Sequence, residues 1–284
     1  MKQNFLITAL DSLKTFFTVG AKKIVENEDG GHADRLIHKD TSSRVIEAYR
    51  MTRTNLMYTG KNDGGRVIGF TSASPHDGKS LTCANLAISF AMSGKRVLLI
   101  DCDMHRPTQN ISFSSKAQTG LSEYLTDIVS KPEIVDTEYE NLSLLTAGRC
   151  PPNPAELLYS ERFSQLIADA KGEYNCVFLD LPPLNVISDA AIVSSHLDGY
   201  VFIVRAGKSD RRMVQSAIYS IEHVGGKVIG FVLNDTDRHV ISYGRSGYYG
   251  GYYYSYDRRM KDGSEKKENS SKKESSSAKT SAKK

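Results

Sequence analysis

Residues 71–80 contain the residue types that cradle a phosphate group in many proteins. Gly78 allows the backbone to approach a phosphate closely, Lys79 can bridge the β- and γ-phosphates of a nucleotide, and the Ser80 hydroxyl can ligate Mg2+. Backbone N–H groups at the start of a following helix would hold the β-phosphate, helped by the helix dipole. Ala73 stands where the usual motif has glycine. A plain Gly-Lys-Ser turn is the alternative, but the strand pattern before the loop and the helical pattern after it favour phosphate binding. The residues predicted to bind the nucleotide here are Ser74, Pro75, His76, Asp77, Gly78, Lys79, Ser80 and Leu81.

Two apolar runs end in carboxylates. Residues 97–103 place Asp101 and Asp103 at the end of one predicted strand, and residues 177–180 place Asp180 at the end of another. In a parallel sheet these ends converge above the phosphate loop. A buried carboxylate without a partner is costly, so a metal ion or a cation is the expected neighbour. For either run taken alone, a helix N-cap or a solvated loop acid is the alternative.

These groups together suit transfer of a phosphoryl group, which depends on positioning and charge neutralisation. We expect Lys79 and Mg2+ to supply the positive charge. Asp180 is predicted to hold the metal through water, and Asp103 to complete a metal shell that includes Ser80. Asp101 is the candidate for orienting or deprotonating an incoming hydroxyl, although the roles of Asp101 and Asp103 could be exchanged.

Apolar runs rich in β-branched residues alternate with helical patterns between residues 41 and 240, which we take as one domain. Near-continuous apolar strands indicate a sheet covered on both faces, and such sheets are mostly parallel. The alternation predicts an α/β fold with a doubly wound, mostly parallel sheet that binds ligands at the carboxyl ends of its strands. The predicted strands are 66–71, 96–101, 142–145, 176–181, 200–204 and 228–233, and the predicted helices are 79–93, 155–170 and 211–223.

The N-terminal extension, residues 1–40, carries an apolar stripe of Leu6, Leu10, Leu13 and Phe17 at helical spacing. The stripe predicts an amphipathic helix. Such a helix docks on a membrane surface or a partner, or lies on the core of its own protein, and the sequence favours neither reading.

The C-terminal region, residues 241–284, loses all hydrophobic periodicity. A cluster of tyrosines separated by glycine and serine is followed by a Lys/Ser/Glu-rich stretch whose composition predicts disorder. The clustered tyrosines are Tyr243, Tyr248, Tyr249, Tyr252, Tyr253, Tyr254 and Tyr256.

Composition excludes several classes of protein. The net charge of +4 over 284 residues gives no reason to expect a nucleic-acid partner. No run of about eighteen apolar residues is present, so no membrane-spanning helix is predicted. The four cysteines form no CxxC pair, which indicates small core residues in a reducing compartment such as the cytoplasm.

The motifs together resemble those of the bacterial tyrosine kinases of capsular and exopolysaccharide operons, the BY-kinase family. Residues 74–80 look like the family's Walker A motif. Residues 97–103, followed by Pro107, look like its Walker A′ motif, and residues 177–183 look like its Walker B motif. The tyrosine cluster lies at the C-terminal place that the family gives it. The resemblance implies a P-loop NTPase fold of the deviant Walker, MinD/ParA-like type.

Two further stretches share the resemblance. One is Gly148 with residues 151–158. The other reads ExxRxxR and contains Glu47, Arg50 and Arg53, which fall within about a 120° arc of a helix. In the family this motif joins neighbouring subunits into a ring. Taken by itself, such a triad is more often a solvated helix face.

The resemblance implies an ATP- and Mg2+-dependent protein-tyrosine kinase that phosphorylates its own tyrosine cluster and regulates capsular or exopolysaccharide polymerisation and export. It also implies a ring-like homo-oligomer, a membrane-spanning modulator, a cognate tyrosine phosphatase and recruitment to the inner face of the cell membrane. Asn234 is an adenine neighbour by resemblance alone. His105, followed by Arg106, stands where the family usually carries arginine.

Two other functions fit parts of the sequence. A MinD/ParA-type positioning ATPase would share the fold and place ATP identically. That class carries a lysine five residues before the catalytic one, and here the position is Ser74. A nucleotide-gated scaffold whose tyrosine tail only binds is the second alternative. The order of the motifs and the tyrosine cluster favour the kinase over both.

Overall fold

Eight strands of the described residues form one sheet in the computed structural model, which describes residues 16–18 (backbone only), 35–59, 65–185 and 189–236. The spatial order of the strands is β1-β8-β7-β2-β6-β3-β5-β4. Every neighbouring pair is parallel except β4 and β5. This confirms the predicted doubly wound, mostly parallel sheet. The strands are β1 Phe16–Thr18, β2 Arg66–Ser72, β3 Val97–Asp101, β4 Val135–Asp136, β5 Leu142–Leu145, β6 Cys176–Asp180, β7 Gly199–Arg205 and β8 Val228–Asn234.

Helices cover both faces of this sheet, as alternate side chains of the central strand β6 demonstrate. Val177 and Leu179 belong to a buried cluster with α4, α6 and α8, whereas Phe178 packs into a second cluster with α1 and α2. Burial on both faces explains why the strands read as continuous apolar runs. The helices are α1 Ser43–Met57, α2 Lys79–Ala91, α3 Gln109–Ser112, α4 Leu121–Leu125, α5 Pro154–Leu158, α6 Glu161–Glu173, α7 Asp189–Ile192, the 3-10 helix Val193–His196, and α8 Arg211–His223.

The single helix predicted over residues 155–170 is wrong, because the structure has two helices, α5 and α6, in that region. Ser160 lies between them and is the N-cap of α6. Its hydroxyl accepts a hydrogen bond from the Phe163 amide at 3.2 Å, which satisfies a backbone donor that has no partner within the helix. The other predicted strands and helices differ from the structure by two residues or fewer at each end.

The prediction that an amphipathic helix reaches Phe17 is also wrong. Phe16–Thr18 is a strand that pairs in parallel with Phe231, Val232 and Leu233 of β8. The outer edge of β8 presents backbone N–H and C=O groups, and aromatic and threonine residues suit a strand that pairs with them. Leu6, Leu10 and Leu13 lie outside the described residues, so a helix there stays a prediction.

The part of the chain that the structure describes has no helix with the length and apolar character needed to cross a bilayer. The tyrosine cluster and the Lys/Ser/Glu-rich stretch lie outside the described residues. The division of the chain at residues 40 and 241 therefore stays a prediction.

Candidate nucleotide site

The loop between β2 and α2 has the backbone geometry of a phosphate cradle. Gly78 has φ of 91°, and a Cβ at this position would stand 2.1 Å from the side-chain nitrogen of Asn234. Only glycine fits such a position. Lys79 follows at once as the first residue of α2, so the N–H groups of the first turn face the loop. Ala73, by contrast, is buried and is not among the described residues with positive φ. Alanine therefore meets no conformational penalty where the usual motif has glycine.

Groups from β7, β8 and the loop after β7 support the phosphate loop. Arg205 Nη1 donates to the His76 carbonyl at 3.0 Å, and Asn234 Nδ2 donates to the Asp77 carbonyl at 3.0 Å. The Ser209 hydroxyl donates to Asp77 Oδ1 at 2.9 Å. Burial raises the pKa of Asp77, while the hydrogen bond from Ser209 works in the opposite direction. These contacts give the loop a defined shape, which a phosphate cradle requires.

Lys79 lies at the centre of a buried polar cluster. Its Nζ is 2.8 Å from Asp103 Oδ2, 3.4 Å from Asp180 Oδ1 and 3.0 Å from the Ser80 hydroxyl. Burial lowers the pKa of Lys79, but the charges of Asp180 and Asp103 outweigh it and raise that pKa above its ordinary value. The lysine is therefore held in its charged form.

Asp101 belongs to the same cluster through the sheet, because it is the register partner of Asp180 across β3 and β6. It is fully buried, and Asp101 Oδ2 accepts from the amides of Thr108 and Gln109, both at 3.0 Å. Oδ1 accepts from the Asp103 amide at 3.1 Å. Burial and, after it, the charge of Asp180 raise the pKa of Asp101 to about 7. The geometry shows Asp101 holding the turn after β3, and its action on an incoming hydroxyl stays a prediction.

Gln109 is a member of the cluster that the sequence prediction missed. Its Nε2 donates to Asp180 Oδ2 at 2.7 Å and to the Ser80 carbonyl at 3.1 Å. Arg205 and Ser209, which support the loop, were missed as well. Each lies far along the chain from the group that it contacts, and a polar residue after a strand carries no signal of such a contact. The one available signal for Gln109 is its place at the helix start that follows the acids of β3.

The other predicted nucleotide-binding residues lie in or beside the loop. Ser74 is half-buried, Pro75 and His76 are exposed, and Leu81 packs against the buried cluster of α1 and α2. Asn234, the predicted adenine neighbour, contacts the phosphate loop itself. Their roles toward a nucleotide stay predictions.

The ExxRxxR stripe lies on α1, away from the carboxyl edge of the sheet. Arg50 Nη1 is 3.6 Å from Glu47 Oε2, and both side chains are about half exposed. Arg53 differs, since its Nη1 donates to the Ser89 carbonyl of α2 at 2.6 Å. Arg53 therefore joins two helices of its own chain, and the part that all three residues play in self-association stays a prediction.

The chemistry of the cluster fits a divalent cation together with a nucleotide. Three carboxylates, those of Asp101, Asp103 and Asp180, share one lysine, so the cluster has surplus negative charge. No three His, Cys, Asp or Glu side chains among the described residues are grouped to hold a metal by themselves. Magnesium commonly takes one or two carboxylates, with water and phosphate oxygens as the other ligands. Ser80, Asp103 and Asp180 are the residues that would hold it.

A strand, a glycine-containing loop and a helix follow one another, and acids end the adjacent strands β3 and β6 of the same sheet. This arrangement defines a P-loop nucleotide-binding protein. A family model described as an AAA domain matches residues 65–206. The tyrosine-protein kinase YwqD of Bacillus subtilis is 36% identical over 205 residues, which cover 72% of this chain and 86% of that protein. The putative tyrosine-protein kinase CapB of Staphylococcus aureus is 33% identical over 199 residues, covering 70% and 87%.

A solved structure, that of the chimerical protein CapA2B2, superposes with a TM-score of 0.73 at 30% identity and covers 84% of this chain and 100% of that one. The chain belongs to the bacterial tyrosine kinase (BY-kinase) family. The family resemblance found in the motifs is thereby confirmed.

Proposed function

We propose that this chain is a protein-tyrosine kinase that uses Mg-ATP and phosphorylates the tyrosines of its own C-terminal cluster. The observation that carries the proposal is the buried Lys79 at the start of α2, with Asp103 and Asp180 within 3.4 Å of its Nζ. The relatives CapB and YwqD are named as tyrosine kinases. By the same family membership we propose a role in regulating capsular or exopolysaccharide polymerisation and export. No feature of the cluster favours the MinD/ParA-type alternative.

Each residue of the cluster has a part in this reaction. Lys79 Nζ, charged because Asp180 and Asp103 raise its pKa, neutralises charge on the transferring phosphoryl group. Ser80, Asp103 and Asp180 would hold Mg2+, which when bound would further neutralise the phosphate oxygens. Asp103 or Asp101 accepts the proton of the attacking tyrosine hydroxyl. Asn234 keeps the loop in shape through its hydrogen bond to the Asp77 carbonyl, and by family resemblance it is the proposed neighbour of the adenine base.

The tyrosine cluster of one subunit reaches the site of a neighbour in an assembly formed through Glu47, Arg50 and Arg53. Each added phosphate carries roughly −1.5 to −2 charges, so several on one segment repel each other and loosen the ring-like homo-oligomer. A membrane-spanning modulator would recruit the chain to the inner face of the cell membrane, and a cognate tyrosine phosphatase would reset the cluster.

Incubation with Mg-ATP followed by phosphopeptide mapping tests the proposal. We expect phosphate on tyrosines between residues 243 and 256, and its loss in Lys79→Met. The matched control is Lys131→Met, at an exposed lysine outside the cluster, which should leave the phosphate pattern unchanged. Hydrolysis of ATP without any phosphotyrosine would contradict the kinase and support the MinD/ParA-type alternative.

A further inference from the structure

One fully buried side chain, that of Gln109, bridges the phosphate loop and the acid that ends β6. We propose that Gln109 is a positioning residue that fixes the orientation of Asp180 relative to Ser80 and thereby sets the affinity of the site for Mg2+. The inference rests on the proposed function, because it concerns the same site. Gln109 is placed in turn by Asp101, whose Oδ2 accepts from the Gln109 backbone amide at 3.0 Å.

The orientation of the Gln109 amide is determined by its neighbours. Both groups that face Nε2, Asp180 Oδ2 at 2.7 Å and the Ser80 carbonyl at 3.1 Å, are acceptors. A flipped amide would place Oε1 against two oxygen atoms, which cannot form hydrogen bonds with it. The NH2 group therefore points at two of the predicted metal-binding residues, Ser80 and Asp180, with one hydrogen available for each.

For cation binding, the absence of charge on the Gln109 side chain is as important as the length that lets it contact Asp180. Asp180 Oδ2 accepts from Gln109, whereas Asp180 Oδ1 faces Lys79 Nζ at 3.4 Å. An amide fixes Oδ2 without adding a positive charge, so the carboxylate keeps its full attraction for a cation. A lysine or arginine in this place would compete with Mg2+ for the same carboxylate. Hydrogen bonds of this kind to ligating carboxylates tune metal affinity.

The second atom of the Gln109 amide gives an independent indication. Gln109 Oε1 is buried and has no hydrogen-bond donor within the described part of the chain. Buried acceptors are seldom left without a donor in a functional state. A water molecule bound to Mg2+ is a donor of the kind that Oε1 lacks. The Gln109 side chain thus uses both N–H donors within the protein, and its Oε1 acceptor is available to a water molecule when Mg2+ is bound.

The test measures binding of a fluorescent ADP analogue with Mg2+ and with EDTA. Gln109→Met keeps the length of the side chain and removes both hydrogen bonds. We expect the affinity in Mg2+ to fall about 10- to 100-fold, as for other partners of metal ligands, while the affinity in EDTA stays unchanged. A residue that only supports the fold would lower both affinities alike. The control is Gln215→Met, an exposed glutamine of α8, for which both affinities should match those of the original protein.

Circular dichroism shows whether Gln109→Met folds. If it does not, Gln109→Asn retains a buried amide on a side chain that is one methylene shorter. This variant should likewise lose affinity for the ADP analogue in Mg2+ and keep it in EDTA. Equal affinities in Mg2+ for a folded variant and the original chain, or equal losses in both conditions, would overturn the inference. Binding is separate from phosphotyrosine formation: an original protein that binds Mg-ADP but makes no phosphotyrosine refutes the kinase alone. An original protein that makes phosphotyrosine but whose ADP affinity does not depend on Mg2+ refutes the inference on Gln109 alone.

Discussion

The side-chain nitrogen of Asn234 lies 2.1 Å from the point where a Cβ on residue 78 would stand. The end of β8 is thus packed against the phosphate loop, and Asn234 also donates to the Asp77 carbonyl. Two properties of Gly78 are required at once, a positive φ and the absence of a side chain. A change at the end of β8 can therefore alter the shape of the phosphate loop, as can a change within the loop itself.

Gly78→Ala should lose nucleotide binding and some stability. A non-glycine residue at φ of 91° costs about 1–3 kcal/mol in unfolding free energy, and the clash with Asn234 displaces the loop. Gly94→Ala is the control, because Gly94 has φ of 80° but no heavy atom within 4 Å of the added Cβ. We expect Gly94→Ala to lose stability only. Denaturant unfolding and ADP binding measure the two effects, and full ADP affinity in Gly78→Ala would show that the loop tolerates a side chain.

The pH dependence of stability should carry a contribution from Asp101. Its pKa of about 7 in the folded protein compares with about 3.9 in an unfolded chain. Between these values the folded state holds a proton that the unfolded state has released. The unfolding free energy therefore falls as pH rises from about 4 to about 7. Asp101→Asn removes this part of the slope, which urea denaturation in EDTA at several pH values measures. Asp40→Asn, at an exposed acid, should keep the slope, and an unaltered slope in Asp101→Asn would refute the assignment.

Glu123 should contribute stability of the opposite pH dependence. Burial raises its pKa, but backbone hydrogen bonds from Arg149 and Gly120 outweigh it, so the pKa of Glu123 is lowered. Its stabilisation is present above the unfolded value of about 4.3 and is lost as pH falls through the folded value. At pH 7, Glu123→Gln should lose about 1–3 kcal/mol of unfolding free energy.

The difference in unfolding free energy between Glu123→Gln and the original protein should become smaller as pH falls below about 4.3. Glu140→Gln, at an exposed loop acid, serves as the control and should change stability little at any pH. Chemical denaturation from pH 3 to pH 8 measures both differences. A gap that stayed constant over this range would show that the charge of Glu123 does not stabilise the fold.

Substitutions at Arg50 and Arg53 should distinguish an effect on self-association from an effect on stability. Arg53 donates to the Ser89 carbonyl, so Arg53→Met leaves a backbone acceptor between α1 and α2 without its partner and costs about 1–3 kcal/mol. Arg50 is exposed and pairs with Glu47 on the surface of α1, so Arg50→Met should leave stability almost unchanged. If the stripe joins subunits, both variants sediment as smaller species. Sedimentation combined with thermal unfolding distinguishes the effects, and an unchanged particle size in Arg50→Met would argue against the stripe as a contact.

Local patterns were sufficient for much of the fold. Helix α8 has the predicted bounds because Asp210 caps it, accepting from the amides of Arg212 and Met213, and because its apolar residues recur at helical spacing. The strands were found because burial on both faces makes them continuously apolar. The place of Lys79 at the start of α2 and the places of the acids at the strand ends were predicted from the same local patterns.

Contacts between distant segments could not be predicted from local patterns. Gln109 meets Asp180 across 71 positions of the chain, and Ser209 meets Asp77 across 132. Their residue types are ordinary for loops, and only the folded arrangement makes them neighbours. Strand β1 is three residues long and too short to show an alternating pattern. The break at Ser160 depends on a capping bond that competes with continued helix.

Strand β1 has a practical consequence for how this protein can be handled. It covers Phe231, Val232 and Leu233 at the outer margin of the sheet. A shortened chain that began at residue 35 would lose that cover and leave a row of backbone groups ready to pair with the same row of another molecule. Removing the first 34 residues to improve crystallisation would therefore favour aggregation during purification. A polar substitution such as Val232→Lys would not replace the missing strand, and it would add the cost of burying a charge, because Val232 is fully buried.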